Sequence, residues 1–214
     1  MEKNLTEIEE FEKLKSIDFC LISNNCWGNQ SYSNLRREYN NPLIGLFLYP
    51  GCYIKLLDNF EENINSDLHF VENSKYFPYK RNYPIGIIKN QIEIHFLHYK
   101  SYDEVKNKWK RRLSRLNLFM TKSKRIFVKI CDRDGLQTKH LKKFHDLNFE
   151  NKISLSVYKF NNENHIYIPF LRLRNENQVL DGYNLFKYRN LYLNMPSWII
   201  DKKLITSFSR NSFN

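Results

Sequence analysis

The chain is expected to fold as an α/β protein, a three-layer α/β/α domain built on a mostly parallel sheet. Three observations predict this. Short apolar runs alternate with stretches of helical period, the rhythm of βαβ units. The composition is 42% hydrophobic, with 16 Phe and 14 Tyr, which is enough to fill one sizeable core and unlike a disordered chain. The length of 214 residues suits one large domain, and no repeat or low-complexity linker divides it. Residues 1–214 therefore read as a single domain, with 1–15 an N-terminal helical extension and 202–214 a tail.

In that extension Leu5, Ile8, Phe11 and Leu14 recur every three residues, the mark of a short amphipathic helix. A first strand is expected over 17–23, ending in the loop Asn24-Asn25-Cys26-Trp27-Gly28, with a helix near 31–39. Residues 43–48 read as a second strand, and Pro50-Gly51 as a break. The stretch 59–83 is polar and irregular. Residues 85–88 and 91–97 form two strands joined by the turn Lys89-Asn90; Ile92, Ile94 and Phe96 alternate with Glu93, His95 and Leu97, as a sheet with unequal faces requires.

The clearest helix spans about 102–118. Ser101 and Glu104 have capping-box spacing, and Val105, Trp109, Leu113 and Leu116 fall on one stripe. Trp109 is expected to be buried. Arg112 lies at the margin of that stripe, so its guanidinium needs an acidic partner: Asp132, Asp134 or an anionic substrate. A strand over 125–131 leads into Asp132-Arg133-Asp134-Gly135, a basic helix covers about 138–147, and 154–160 and 166–168 read as closing strands. Asp181-Gly182-Tyr183 is placed only loosely.

Composition narrows the function classes. The net charge of +11 suits acidic partners: nucleic acid, an anionic membrane surface, or a phosphate-bearing substrate. No apolar stretch approaches the ~20 residues that a membrane span needs, and the acidic N-terminus lacks the apolar core of a signal peptide. A cytoplasmic location is expected. Four cysteines without paired spacing read as free thiols. There is no P-loop, G-x-G-x-x-G, G-x-S-x-G or H-E-x-x-H motif, and the sequence names no cofactor.

Ligands of parallel α/β sheets bind at the carboxyl ends of the strands. Three polar clusters fall at such ends: 23–28, 95–99 and 132–135. Cys26 is the candidate nucleophile, since a helix N-terminus favours thiolate. His95 or His98 would be its base, with an Asp or Asn, Asp132 among them, orienting the imidazole. Asp132 and Asp134 also have the spacing of a D-x-D pair, although no metal ligand set is assigned. Asn24, Asn25, Trp27, Arg111, Arg112 and Asp134 would contact substrate, and Arg111, Arg112 or Arg115 would grip a phosphate or carboxylate with arginine's planar fork.

These same residues carry a resemblance. Ser23-Asn24-Asn25-Cys26-Trp27-Gly28, Tyr83-Pro84-Ile85-Gly86, His95-Phe96-Leu97-His98-Tyr99, and Trp109-Lys110-Arg111-Arg112 followed by Asp132-Arg133-Asp134 look like a bacterial family of unknown function. Its members are often labelled exopolysaccharide-biosynthesis proteins. The match runs in order from about residue 17 to residue 201, and Asn29 stands where a second glycine would follow Trp27-Gly28. More distantly the arrangement is similar to a family proposed to contain papain-like cysteine peptidases. The resemblance implies a layered α/β/α fold and a role in capsule, exopolysaccharide or lipopolysaccharide assembly. The reading is a group transferase, moving an acyl group through a Cys-His site onto a polysaccharide or its lipid-linked precursor. Such an enzyme could sit peripherally at the inner face of the plasma membrane. The rivals are a glycosyltransferase using a sugar nucleotide and a non-catalytic basic module for anionic glycan or nucleic acid, nucleic acid being the less favoured partner.

Overall fold

In the computed structural model, which describes residues 5–206, two sheets and eight α-helices make a mixed α/β fold. Among the described residues, strands β1 (Cys20–Ser23), β5 (Ile126–Cys131), β6 (Asn151–Ser156) and β7 (His165–Tyr167) form one all-parallel sheet in the order β1-β5-β6-β7. Cys20 pairs with Ile126, Phe127 with Asn151, and Ser154 with His165. Strands β2 (His69–Val71), β3 (Ile85–Ile88) and β4 (Ile92–His95) form a second, antiparallel sheet. The β3–β4 hairpin turns through Lys89-Asn90-Gln91, with Lys89 and Asn90 at positive φ (50° and 57°) and the Gln91 amide donating back to Ile88 O (3.2 Å).

Side-chain alternation along the parallel strands separates two cores. Cys20, Ile22, Val128 and Ile130 face one side, where they meet helices α3 (Pro50–Asp58), α5 (Tyr102–Lys122) and α6 (Thr138–Asp146) and the antiparallel sheet. Leu21, Phe127, Cys131, Ile153 and Leu155 face the other, against α2 (Trp27–Asn34), α7 (Gly182–Lys187) and α8 (Met195–Ile200). Helices thus cover both faces. Helix α1 (Leu5–Ser16) adds buried Leu14 to the second core, and the short α4 (Phe60–Ile64) adds Phe60 and Ile64 to the first. The expected tail lies outside the described residues from 207 onward, as do residues 1–4 of the extension.

Two expectations are corrected. Residues 43–48 are not a strand: only Phe47 bridges, to His95, because Gly45 takes φ +79° and breaks the extended run. Pro50-Gly51 does not end an element but starts α3, where proline's missing N–H costs nothing. The Phe47–His95 bridge (N···O 2.9 and 3.0 Å) and the bond from Leu48 N to Asn24 O (2.9 Å) sew the two sheets together. That seam brings the end of β1 against the end of β4.

Helix α5 is capped much as expected: Ser101 Oγ accepts the Glu104 amide (3.2 Å), while the Glu104 carboxylate reaches one residue further back, to the Lys100 amide (2.7 Å). Trp109 is buried and packs edge-on to Phe96, ring centroids 5.9 Å apart. No helix among the described residues is long and apolar enough to cross a membrane.

Candidate functional site

Cys26 closes the loop after β1 and occupies the N-cap of α2 in a helical conformation (φ −65°, ψ −1°). Its thiol is half-buried, 3.3 Å from His98 Nε2 and 3.9 Å from Leu46 O. Burial pushes the thiol up to about 11, helped by the Asp181 carboxylate and opposed by the Lys129 ammonium. At neutral pH the sulfur is therefore protonated, within hydrogen-bond distance of the His98 ring. The expected helix-terminus thiolate is overridden by desolvation.

His98 reaches the sulfur through a tight turn after β4, closed by Tyr99 N donating to Phe96 O (3.1 Å). With Asn82, Leu97, Tyr99 and Lys100 it lines an open groove of about 490 Å³. Residues 44–46 pass between this turn and α2. A Cβ on Gly45 would meet Tyr99 Cε2 at 3.4 Å, and the Gly45 amide donates to Asn29 Oδ1 (3.1 Å). Asn29, standing where a glycine was expected, is thus a bracket for the segment that borders the thiol.

Under Cys26 lies a buried polar support. The Asn25 side-chain Oδ1 accepts the Trp27 amide (3.2 Å), and Asn25 Nδ2 donates to Cys131 Sγ (3.1 Å). Lys129, fully buried, sets its ammonium 3.4 Å from Asn24 Oδ1 and 3.3 Å from Asn25 Oδ1, with the Trp27 ring 5.6 Å away. Burial pulls that ammonium's pKa down. Asn24 Oδ1 also accepts the Cys131 amide (3.2 Å). Trp27 is fully buried, its indole N–H donating to Tyr192 Oη (2.9 Å). Asn24, Asn25 and Trp27, expected as substrate contacts, instead form the foundation on which Cys26 stands.

Other expected residues are dispersed. His95 is fully buried in a ring of Phe47, Tyr49, Tyr76, Phe77 and Tyr83, stacked on Phe47 at 4.4 Å. Its Nε2 lies 2.8 Å from the buried Glu93 carboxylate without a well-aligned hydrogen bond, and burial holds the imidazole below its usual range. Of the two histidines, His98 alone contacts the thiol. Asp132 is buried with both oxygens occupied, by the amides of Val157 (2.7 Å) and Val179 (2.8 Å), and so ties the chain just after β6 and the Arg172–Val179 bridge to the end of β5. Asp134 is half-buried at φ +60°, and burial raises its carboxyl. Arg111 is exposed on α5, and Arg115 pairs with Glu38 at 2.7 Å.

Arg112 is buried as expected, but its partner is neither Asp132 nor Asp134. Its Nη1 donates to Tyr99 Oη (2.6 Å) and Ile44 O (3.0 Å), and the guanidinium lies 4.7 Å over the Tyr39 ring. A phenol, a carbonyl and a π face replace the carboxylate.

Three residues of the site, Lys129, Asp181 and Gly182, were not anticipated from the sequence. Asp181 caps α7 by accepting the Tyr183 and Asn184 amides (both 3.0 Å), and its charge acts on Cys26. Gly182 follows in such close contact that a Cβ there would lie 2.7 Å from Trp27 N and 2.8 Å from Asn25 Oδ1. Lys129 had a readable signal: it is the one charge in the apolar run Ile126–Cys131. Asp181-Gly182 had none, because its meaning depends on a contact across more than 150 residues.

Residues 1–198 match the family described as Domain of unknown function (DUF1919), and the chain belongs to that family. An uncharacterized protein of Haemophilus influenzae is 33% identical over 141 residues, covering 66% of this chain. The matched stretch is 63% of that relative's own length.

Proposed function

We propose that this member of the DUF1919 family is a group transferase that carries an acyl group on Cys26 to a bacterial surface polysaccharide or its lipid-linked precursor. The observation that carries this reading is the Cys26 Sγ–His98 Nε2 separation of 3.3 Å at the edge of an open groove. The polysaccharide acceptor rests on the motif resemblance.

The chemistry follows from the protonated thiol. As Sγ attacks the acyl carbonyl, its proton passes to His98 Nε2, the acyl–leaving-group bond breaks, and the leaving group departs with that proton. A thioester remains on Cys26. An acceptor hydroxyl then gives its proton to Nε2 as its oxygen attacks the thioester, and the thiol is restored. His98 is exposed enough to meet both reactants, whereas Lys129, Asn24 and Asn25 hold the loop that aims the sulfur.

An activated ester, p-nitrophenyl acetate, tests the pair. The protein should release nitrophenolate in a burst and gain one acetyl group on Cys26 by mass spectrometry. Cys26→Ala should abolish the burst. His98→Ala should slow it ~10²–10⁴-fold, the usual contribution of a general base, with unchanged melting. Equal acylation of the wild type and His98→Ala would refute the proposal.

A further inference from the structure

Ten large hydrophobic side chains are exposed among the described residues, and five of them (Tyr167, Phe170, Tyr183, Tyr188 and Leu191) fall within residues 167–191. The fold gathers this stretch. Leu180 N bonds to Leu171 O (3.0 Å) and Arg172 bridges Val179, which sets Phe170 beside the start of α7. Tyr183 and Lys187 lie one turn apart on α7, whose opposite face buries Gly182, Leu185 and Phe186. Leu191 N bonds to Tyr188 O (3.0 Å), so both follow directly from the helix end.

The charges of this stretch are uneven. Arg172, Arg174, Lys187 and Arg189 stand against two carboxylates, Glu176 and Asp181. Both carboxylates are engaged locally, Glu176 with the Gln178 amide group and Asp181 with the α7 amides. Two of the cations lie over aromatic rings, Lys187 over Tyr188 and Arg189 over Phe186. Half-exposed tyrosines, a half-exposed leucine and the exposed cations Arg172, Arg174 and Lys187 are the composition of a surface that rests in the headgroup layer of an anionic bilayer. Leu191 decides between lipid and glycan: an aliphatic side chain has no face for stacking on sugars but does enter the acyl boundary.

We propose that residues 167–191 form a docking surface for an anionic phospholipid membrane, placed beside the Cys26 loop by the Gly182–Trp27 contact. This rests on the transferase reading for its purpose, since it would bring the thiol to a lipid-linked substrate, but its test is independent of catalysis. Co-sedimentation is measured with phosphatidylcholine vesicles, with and without phosphatidylglycerol. The wild type should bind only the vesicles that contain phosphatidylglycerol, and more weakly as salt rises. Tyr183→Ser/Tyr188→Ser/Leu191→Ser and, separately, Lys187→Glu should each weaken binding on the order of tenfold. All four side chains are exposed, and unchanged melting confirms the fold. Lys139→Glu/Lys142→Glu/Lys143→Glu on α6 should bind as the wild type does, and so should Cys26→Ala.

Beyond a plain failure to bind vesicles, three results would overturn the proposal. One is sedimentation that does not depend on phosphatidylglycerol. Another is an α6 variant as impaired as the Tyr183/Tyr188/Leu191 variant, which would mean diffuse attraction to the +11 charge. The third is patch-dependent binding to an anionic polysaccharide with no binding to vesicles. Failure of the vesicle assay with the acetyl burst intact removes the surface alone; loss of the burst with vesicle binding intact removes the transferase reading alone.

Discussion

Arg112 offers a direct measure of how a buried cation is held without a carboxylate. One guanidinium nitrogen makes both of its hydrogen bonds, 2.6 Å to Tyr99 Oη and 3.0 Å to Ile44 O, and the planar head covers the Tyr39 ring. Each bond from a charged donor contributes ~1.5–3 kcal/mol, and a partly desolvated cation–π contact adds ~1 kcal/mol. Against this stands the cost of keeping the cation from water, which Arg112→Ala relieves. Ile44 O also keeps the Tyr99 hydroxyl at 2.7 Å, so no carbonyl is orphaned. The net loss for Arg112→Ala should be ~3 kcal/mol, or about 6–12 °C in melting temperature for a chain of this size. Arg112→Lys should cost only ~1 kcal/mol, because a single ammonium can serve both acceptors and loses mainly the stacking on Tyr39. Guanidinium titrations of the three proteins decide the matter. If lysine proves as damaging as alanine, the planar fork and its stacking on Tyr39 carry the stabilisation and two shared acceptors are not enough; if alanine is neutral, the bonds do not stabilise the fold.

Trp109→Ala should cost ~3–5 kcal/mol in the same titration, since a buried indole packed on Phe96 leaves a large cavity. Gly182→Ala should lower stability and slow acylation of Cys26 more than Gly86→Ala does, read by melting and by the acetyl burst. Its Cβ would strike the Trp27 backbone, whereas that of Gly86 meets the Leu68 and Phe96 side chains at 2.6 and 2.9 Å, and side chains can give way. His145 stacks on Phe160 and lies 2.8 Å from Ser154 Oγ; burial lowers its pKa to about 4, while the unfolded chain titrates near the ordinary histidine value. Between those two values the unfolded state binds more protons, so stability falls as pH drops from about 6.5 toward 4. His145→Phe should flatten that slope by up to one proton in denaturant titrations across the range; an unchanged slope would show that His145 is not a source of it.

Much of the framework was legible in the chain because it depends on local pattern. Alternation and helical period marked β3, β4, α5 and α6, and Ser101 with Glu104 marked the start of α5. The polar clusters at the ends of β1 and β5 pointed to the Cys26 loop. Residues 43–48 misled because their apolar run reads the same whether it pairs as a strand or threads between elements, and the left-handed Gly45 decides which.

By itself the sequence determined that the protein is α/β, that Trp109 is core, and that Cys26 stands at a strand-to-helix turn. Only the tertiary structure decided which histidine meets the thiol, since His95 and His98 are three residues apart and β4 sends one inward and the turn after it sends the other to Cys26. It also decided what Arg112 pairs with, and that Lys129, Asp181 and Gly182 belong to the site. The physical reason is the same for all of these. Periodicity reports how a residue faces its own element, whereas hydrogen bonding, desolvation and charge depend on segments that the chain brings together from more than 60 residues away.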